Sequence, residues 1–130
     1  MTTTLFLLFS HQITEAQEAD AFATLGVKQI LSMPSDLQAV WSNIPADRSE
    51  LSDYLEPVRR WLSFLAQKGD HVLIQGDFGA CYLMVSFALD HDLVPVYSTT
   101  RRDVEEELQA DGTTRLTHHF RHQRFRRYAC

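Results

Sequence analysis

Five consecutive apolar residues, Leu5-Phe6-Leu7-Leu8-Phe9, stand near the start of the chain without the polar alternation of a half-buried strand. A strand apolar at every position is covered on both faces, the environment of a central parallel strand with helices above and below. Such a sheet needs a crossover helix between strands, and the sequence supplies one directly. Thr14-Glu15-Ala16-Gln17 is a capping-box pattern, and Gly26 is the stop that ends a helix over 15–25. Lys28 to Met33 then reads as a second strand. Ser35-Asp36-Leu37-Gln38 repeats the capping-box pattern after Pro34 and predicts a short helix through Trp41, closed by Asn43-Ile44-Pro45.

From Leu51 to Leu65 apolar residues keep three- and four-residue spacing, which predicts an amphipathic helix that Pro57 either kinks or restarts. His71 to Gln75 is a third strand and Phe78 to Asp90 a largely apolar helix. Val94 to Ser98 is a fourth strand, with Pro95 near its beginning. Strands alternating with helices give the α/β class: one Rossmann-like domain spanning 1–130, with a mainly parallel sheet and flanking helices. The remainder, Asp103 to Arg121, reads as a C-terminal β-hairpin. Val104 and Leu108 alternate on one strand, Leu116 and Phe120 on the other, with Asp111-Gly112 between them. Matching Leu108 to Leu116 and Val104 to Phe120 puts three loop residues between Ala110 and Thr114.

Composition narrows the function. With 130 residues, 45% of them hydrophobic, the chain holds one real core. Only Cys81 and Cys130 are present, too few for a disulfide framework, which fits a reducing, cytoplasmic setting. The apolar start is too short for a signal peptide or membrane span. Net charge is −5, yet the five basic residues after position 112 meet no acid. A grip on duplex DNA demands a broader basic face, so a small anionic ligand is the better expectation.

In an open parallel sheet, ligands bind beyond the carboxyl ends of the strands. The residues expected there are Ser10-His11, Pro34-Ser35, Gly76-Asp77-Phe78-Gly79 and Thr99-Thr100-Arg101-Arg102. Each has a plainer reading. Ser10 organises a turn, His11 faces solvent, Asp77 caps a helix, Gly76 and Gly79 permit a tight turn, and Arg101 and Arg102 form a solvated pair. Gly-Asp-Phe-Gly is not the spaced glycine fingerprint of a dinucleotide site. His118, His119 and His122 cluster in sequence, but on a strand His119 points away from the other two and no carboxylate group accompanies them, so no metal site is expected. The arginines of the tail, 121, 124, 126 and 127, suit either a nucleotide backbone or an acidic partner surface.

Four strings in order, Leu-Phe-Leu-Leu-Phe-Ser-His at 5–11, Leu-Gln-Ala-Val-Trp-Ser-Asn-Ile-Pro at 37–45, Leu-Ile-Gln-Gly-Asp-Phe-Gly-Ala at 73–80 and Val-Pro-Val-Tyr-Ser-Thr-Thr-Arg-Arg at 94–102, resemble the small stand-alone CRISPR-associated Csx proteins, most closely the group numbered twenty. The likeness extends to the ending Phe-Arg-His-Gln-Arg-Phe-Arg-Arg-Tyr at 120–128. That resemblance implies a CARF-type Rossmann-like homodimer that binds cyclic oligoadenylate, cyclic tetra-adenylate first, and a ring nuclease that switches off type III CRISPR signalling in antiviral defence. It implies no metal and no cofactor. Ring opening can use the ligand's own 2′-hydroxyl, so the protein need only align it and stabilise the phosphate. In that reading Ser10, His11 and Arg101 carry the chemistry: Ser10 and Thr99 orient the ribose, Arg101 neutralises phosphate, and His11 moves the proton. Gly76, Asp77, Phe78, Gly79, Thr100 and Arg102 complete the ligand loops. Two rivals remain: a protein that sequesters the ring without cutting it, and a scaffolding partner of a larger complex.

Overall fold

The computed structural model describes residues 3–129, apart from the side chains of Asp103, His118 and His119. Its elements run β1 (Thr4–Leu8), α1 (Glu15–Asp20) continued by a π-helical turn (Ala21–Leu25), β2 (Gln29–Ser32), α2 (Ser35–Ser42), α3 (Glu56–Leu65), β3 (His71–Ile74), α4 (Phe78–Asp90), β4 (Val94–Leu108) and β5 (Thr114–Arg127). They form one five-stranded sheet in the order β2-β1-β3-β4-β5. The first four strands are mutually parallel, and β5 runs antiparallel to β4.

The all-apolar first strand is explained by two cores. Leu5 and Leu7 pack with Ala21, Val27, Leu73, Val96 and Phe125 under α1. Phe6 and Leu8 face the other way, with Trp41, Leu55, Val58, Leu62, Ile74 and Met84 under α2, α3 and α4. All five β1 residues are buried. The α4 helix is apolar on most sides because its inner face covers β3 and β4, yet Phe78 and Tyr82 at its start remain 95% and 72% exposed.

Several boundaries differ from the sequence expectation. The 15–25 helix is present, but its second half widens into a π-turn, and Gly26 ends it at φ +69°. The second strand is confined to Gln29–Ser32. The second capping box does not form. Pro34 stands at the cap and Ser35 is already helical, so no side chain caps α2, and Gln38 Nε2 donates instead to the Phe9 carbonyl at 2.7 Å. Pro57 restarts rather than kinks: residues 52–55 are turn, and α3 starts beside the proline, whose missing N–H is harmless in a first turn.

The largest correction concerns the chain's last third. The fourth strand does not end at Ser98 but continues to Leu108, so the expected loop Thr99-Arg102 is strand. The hairpin is real, but its register pairs Val104 with His118, Glu106 with Leu116 and Leu108 with Thr114, two positions from the match expected. Its three loop residues are 110–112, closed by Gln109 N–H donating to the Thr113 carbonyl at 2.7 Å, with Gly112 at φ +86°. A three-residue loop wants its left-handed residue last, and only Gly112 fits that place. Apolar matching lost because no core lies behind these strands to reward it: Val104, Leu108, Leu116 and Phe120 are 53–81% exposed.

Gly76 is the backbone position with least freedom. Its φ is +154°, and a Cβ there would lie 3.0 Å from Trp41 Nε1, which donates to the Gln75 carbonyl at 2.9 Å. Gly76→Ala is therefore expected to destabilise the fold by about 1–3 kcal/mol, by strain and by displacing the indole. Urea unfolding that left the midpoint unmoved would remove this account of the β3–α4 turn.

Candidate functional site

The chain steps from β1 outward to β2 on one side and returns to β3 on the other, so the sheet reverses direction between β1 and β3. Ligands of open α/β sheets sit outside the carboxyl ends of the strands at such a reversal. The loops that meet there are 9–14 after β1 and 75–77 after β3. Ser10, His11 and Gln12 line a cavity of about 560 Å³ with Ser32, Ser35 and Gln38 from the end of β2 and the start of α2, within the range of small-molecule pockets, roughly 300–1,000 Å³.

Three helices begin at this edge directly after a strand, and they differ. The start of α1 is closed by the capping box: Gln17 N–H donates to Thr14 Oγ1 at 3.1 Å, and Thr14 N–H to Gln17 Oε1 at 2.9 Å. The start of α4 is closed by Asp77, whose Oδ2 accepts from Ala80 N–H at 3.0 Å. Only the start of α2 lacks a side-chain cap, and it opens on the cavity that holds Ser10 and His11. Uncapped first-turn N–H groups carry partial positive charge and favour an anion there. Ser10 and His11 are both exposed, and the His11 ring stands edge-on to Phe9 with centroids 5.4 Å apart.

The other expected site residues are dispersed. Asp77 is the cap, and its carboxylate is engaged. Gly79 and Asp77 line a separate cavity of about 630 Å³ with Tyr82, Leu51 and the 44–52 loop. Phe78 lies bare on the first turn of α4. Thr99 is absorbed by a β-bulge: its hydroxyl donates to the Arg124 carbonyl at 3.0 Å and accepts from the Arg124 N–H at 3.2 Å. Thr100, Arg101 and Arg102 lie beyond the bulge on the projecting ribbon, paired with His122, Arg121 and Phe120. Ser10 and His11 therefore share one cavity, and Arg101 does not line it.

A second polar constellation had no sequence signature. Ser98 Oγ lies 2.5 Å from His122 Nδ1, and His122 Nε2 lies 2.7 Å from Asp20 Oδ2. Gln17 Oε1 is occupied by Thr14 N–H, so its Nε2 donates to Ser98 Oγ at 3.3 Å. Ser98 then gives its own proton to His122 Nδ1, and the ring's remaining N–H points at Asp20. Thr24 donates to the other Asp20 oxygen at 2.8 Å. Burial pushes the Asp20 carboxyl up, but the hydrogen bonds it accepts from His122, Thr24 and the Phe125 backbone outweigh it and leave the group below its ordinary 3.8. Ser98 is only 7% exposed, and neither carboxyl-edge cavity is lined by it. The arrangement has the order of a hydrolytic triad without access, and what it does is join α1 to β4 and β5.

Two further nucleophile candidates are disposed of by burial. It pushes the Cys81 thiol up, assisted by Asp77, and pushes Tyr128 up to about 12, with its hydroxyl donated to the Ile74 carbonyl. His71, whose Nδ1 has no partner, sits at the opposite, amino edge, its pKa lowered by burial and by Arg127. Among the described residues no three His, Cys, Asp or Glu side chains converge on a metal position; the imidazoles of His118 and His119 lie outside the described side chains. Among the described residues no helix is long and apolar enough to cross a membrane.

Comparison with known proteins places the chain in a lineage. The profile of the uncharacterized protein MJ1673 family matches residues 3–126. A relative described as uncharacterized protein MJ1673, from Methanocaldococcus jannaschii, is 46% identical over 124 residues, covering 95% of either chain. No solved structure matches the chain.

Proposed function

The chain belongs to the MJ1673 family, and we propose that it is a Rossmann-like, CARF-type ring nuclease that opens cyclic oligoadenylate, cyclic tetra-adenylate first, in the cytoplasm. The observation that carries the reading is the cavity at the carboxyl edge, where the uncapped start of α2 meets Ser10 and His11. The helix start and the Ser10 hydroxyl receive phosphate and ribose. The ribose 2′-hydroxyl gives up its proton and attacks the adjacent phosphorus, the bond from phosphorus to the 5′-oxygen breaks, and that oxygen takes a proton. His11 is the group in the cavity able to move protons in both directions. A ring with two equivalent halves suits a two-fold pair of chains.

One observation favours the sequestering alternative. Arg101, the cation expected to steady the phosphate, lies on the ribbon and does not line the cavity, so a site without it binds more readily than it cuts. Incubation with cyclic tetra-adenylate, with and without a chelator, separates the two. The expected product is linear, ends in a 2′,3′-cyclic phosphate and forms at the same rate in either condition. Products bearing only 3′-hydroxyl and 5′-phosphate ends would point to an activated water. A tightly held but intact ring would establish sequestration.

A further inference from the structure

Beyond Thr99 the β4–β5 ribbon leaves the sheet, since β4 touches β3 only over Val94–Val96. Nine residues on each strand, 100–108 and 114–122, then project roughly 30 Å at ~3.4 Å per residue. A bare two-stranded ribbon is at best marginally stable in water. Its side chains are nevertheless sorted. Directly opposed residues share a face, so Arg102, Val104, Glu106 and Leu108 lie with Thr114, Leu116 and Phe120. All four apolar residues of the ribbon's described strands are on that face. The reverse face carries Arg101, Glu105, Glu107, Arg115, Thr117 and Arg121. Strict sorting marks a surface that something covers, and these four side chains expose on the order of 400 Å² of apolar area, the size at which a patch signals an interaction site.

We propose that the cover is the same face of a second copy of this chain, the two ribbons packed antiparallel about a two-fold axis at the level of Val104. The charge order selects this occupant. Arg102 lies two residues toward the base and Glu106 two toward the tip. An antiparallel two-fold therefore lays each copy's Arg102 over the other's Glu106 and each Phe120 over the other's Leu116. The base is basic on both faces and strands, at Arg101, Arg102 and Arg121, while the distal part of β4 is acidic at Glu105, Glu106 and Glu107. A face that is self-complementary in this sense suits an isologous dimer. Including its charged margins, the pair approaches the roughly 1,200 Å² lower limit of a stable interface. This surface would serve the two-fold pair invoked for the ring, but it does not depend on that ligand.

Sedimentation velocity on the full chain at micromolar concentration tests it. The wild type is expected to be a dimer. Leu116→Glu with Phe120→Glu is expected to be a monomer whose body unfolds at an unchanged urea midpoint by Trp41 and Trp61 fluorescence, because both substituted side chains are exposed in the protomer and lie outside the core. Arg102→Glu alone and Glu106→Arg alone are each expected to weaken the dimer at least tenfold. The double exchange Arg102→Glu with Glu106→Arg is expected to restore it, which no merely structural role of either residue explains. A monomeric wild type would overturn the proposal. So would a dimer that survives Leu116→Glu with Phe120→Glu, which would move the interface elsewhere, for example to exposed Phe78 and Tyr82. A ribbon dimer that neither binds nor opens cyclic tetra-adenylate would sink the ring reading and leave this inference intact; a monomer that opens the ring would do the reverse.

Discussion

His11→Ala is expected to slow opening of cyclic tetra-adenylate by roughly 10²–10⁴-fold while changing affinity little. The split follows from where the group sits and when it is needed. His11 is exposed, lines the cavity and packs on Phe9 alone among the described rings, so its removal takes nothing from either core. In the proposed reading the α2 N–H groups hold the phosphate and Ser10 the ribose, and both remain. Proton transfer occurs only on the way to the transition state. Ser10→Ala is expected to cost less in rate and more in affinity, because a hydroxyl that orients the ribose acts in the bound state as well. Single-turnover rates with excess protein, set beside dissociation constants from calorimetry, measure the two effects separately. Full activity in His11→Ala would take the histidine out of the chemistry and leave a site that works by alignment alone.

What was legible in the sequence was whatever a local pattern encodes. Leu5 to Phe9 announces a strand covered on both faces because every position needs an apolar neighbour, and the bounds of α4 are legible because Asp77 and the residues after Asp90 carry its start and stop chemistry. The capping box at Thr14 and Gln17 was readable for the same reason. The matching pattern at Ser35 was not a cap, since Pro34 already supplies the extended residue before the helix and the Gln38 amide finds the Phe9 carbonyl instead. The ribbon is not legible because long-range packing is absent there, and the turn residue Gly112, not apolar matching, decides its register. Asp20, Ser98 and His122 were invisible as a group because their association depends on which face α1 covers. The bulge between Thr99 and Thr100 turns His122 toward Ser98, and no sequence spacing announces a bulge.

That buried chain carries the second large effect. His122→Ala is expected to destabilise the fold by roughly 2–4 kcal/mol, because it removes two hydrogen bonds, one of them to a charged group, and leaves the Ser98 hydroxyl without an acceptor. It also empties the space where the imidazole packs against Phe125 at 4.6 Å between centroids. His122→Phe restores volume without hydrogen bonds and is expected to recover only the packing share. Asp20→Asn keeps an acceptor for the Nε2 proton but loses the charge, and is expected to cost less than either. The pH dependence has a definite sign. The Asp20 carboxyl is held below its usual 3.8 in the folded chain, so its contribution is present above that value and is lost as the pH falls further through the folded-state titration. Asp20→Asn should therefore flatten the acid limb of the stability curve below about pH 4 and lower the plateau at neutral pH, both read from urea midpoints. Limited proteolysis adds a local readout: α1 meets β5 through this chain, so cleavage near the base of the ribbon should accelerate in His122→Ala more than in Gly76→Ala at matched global stability. Equal cleavage in the two would mean that the Asp20–His122–Ser98 chain fills space without fastening the ribbon to the body.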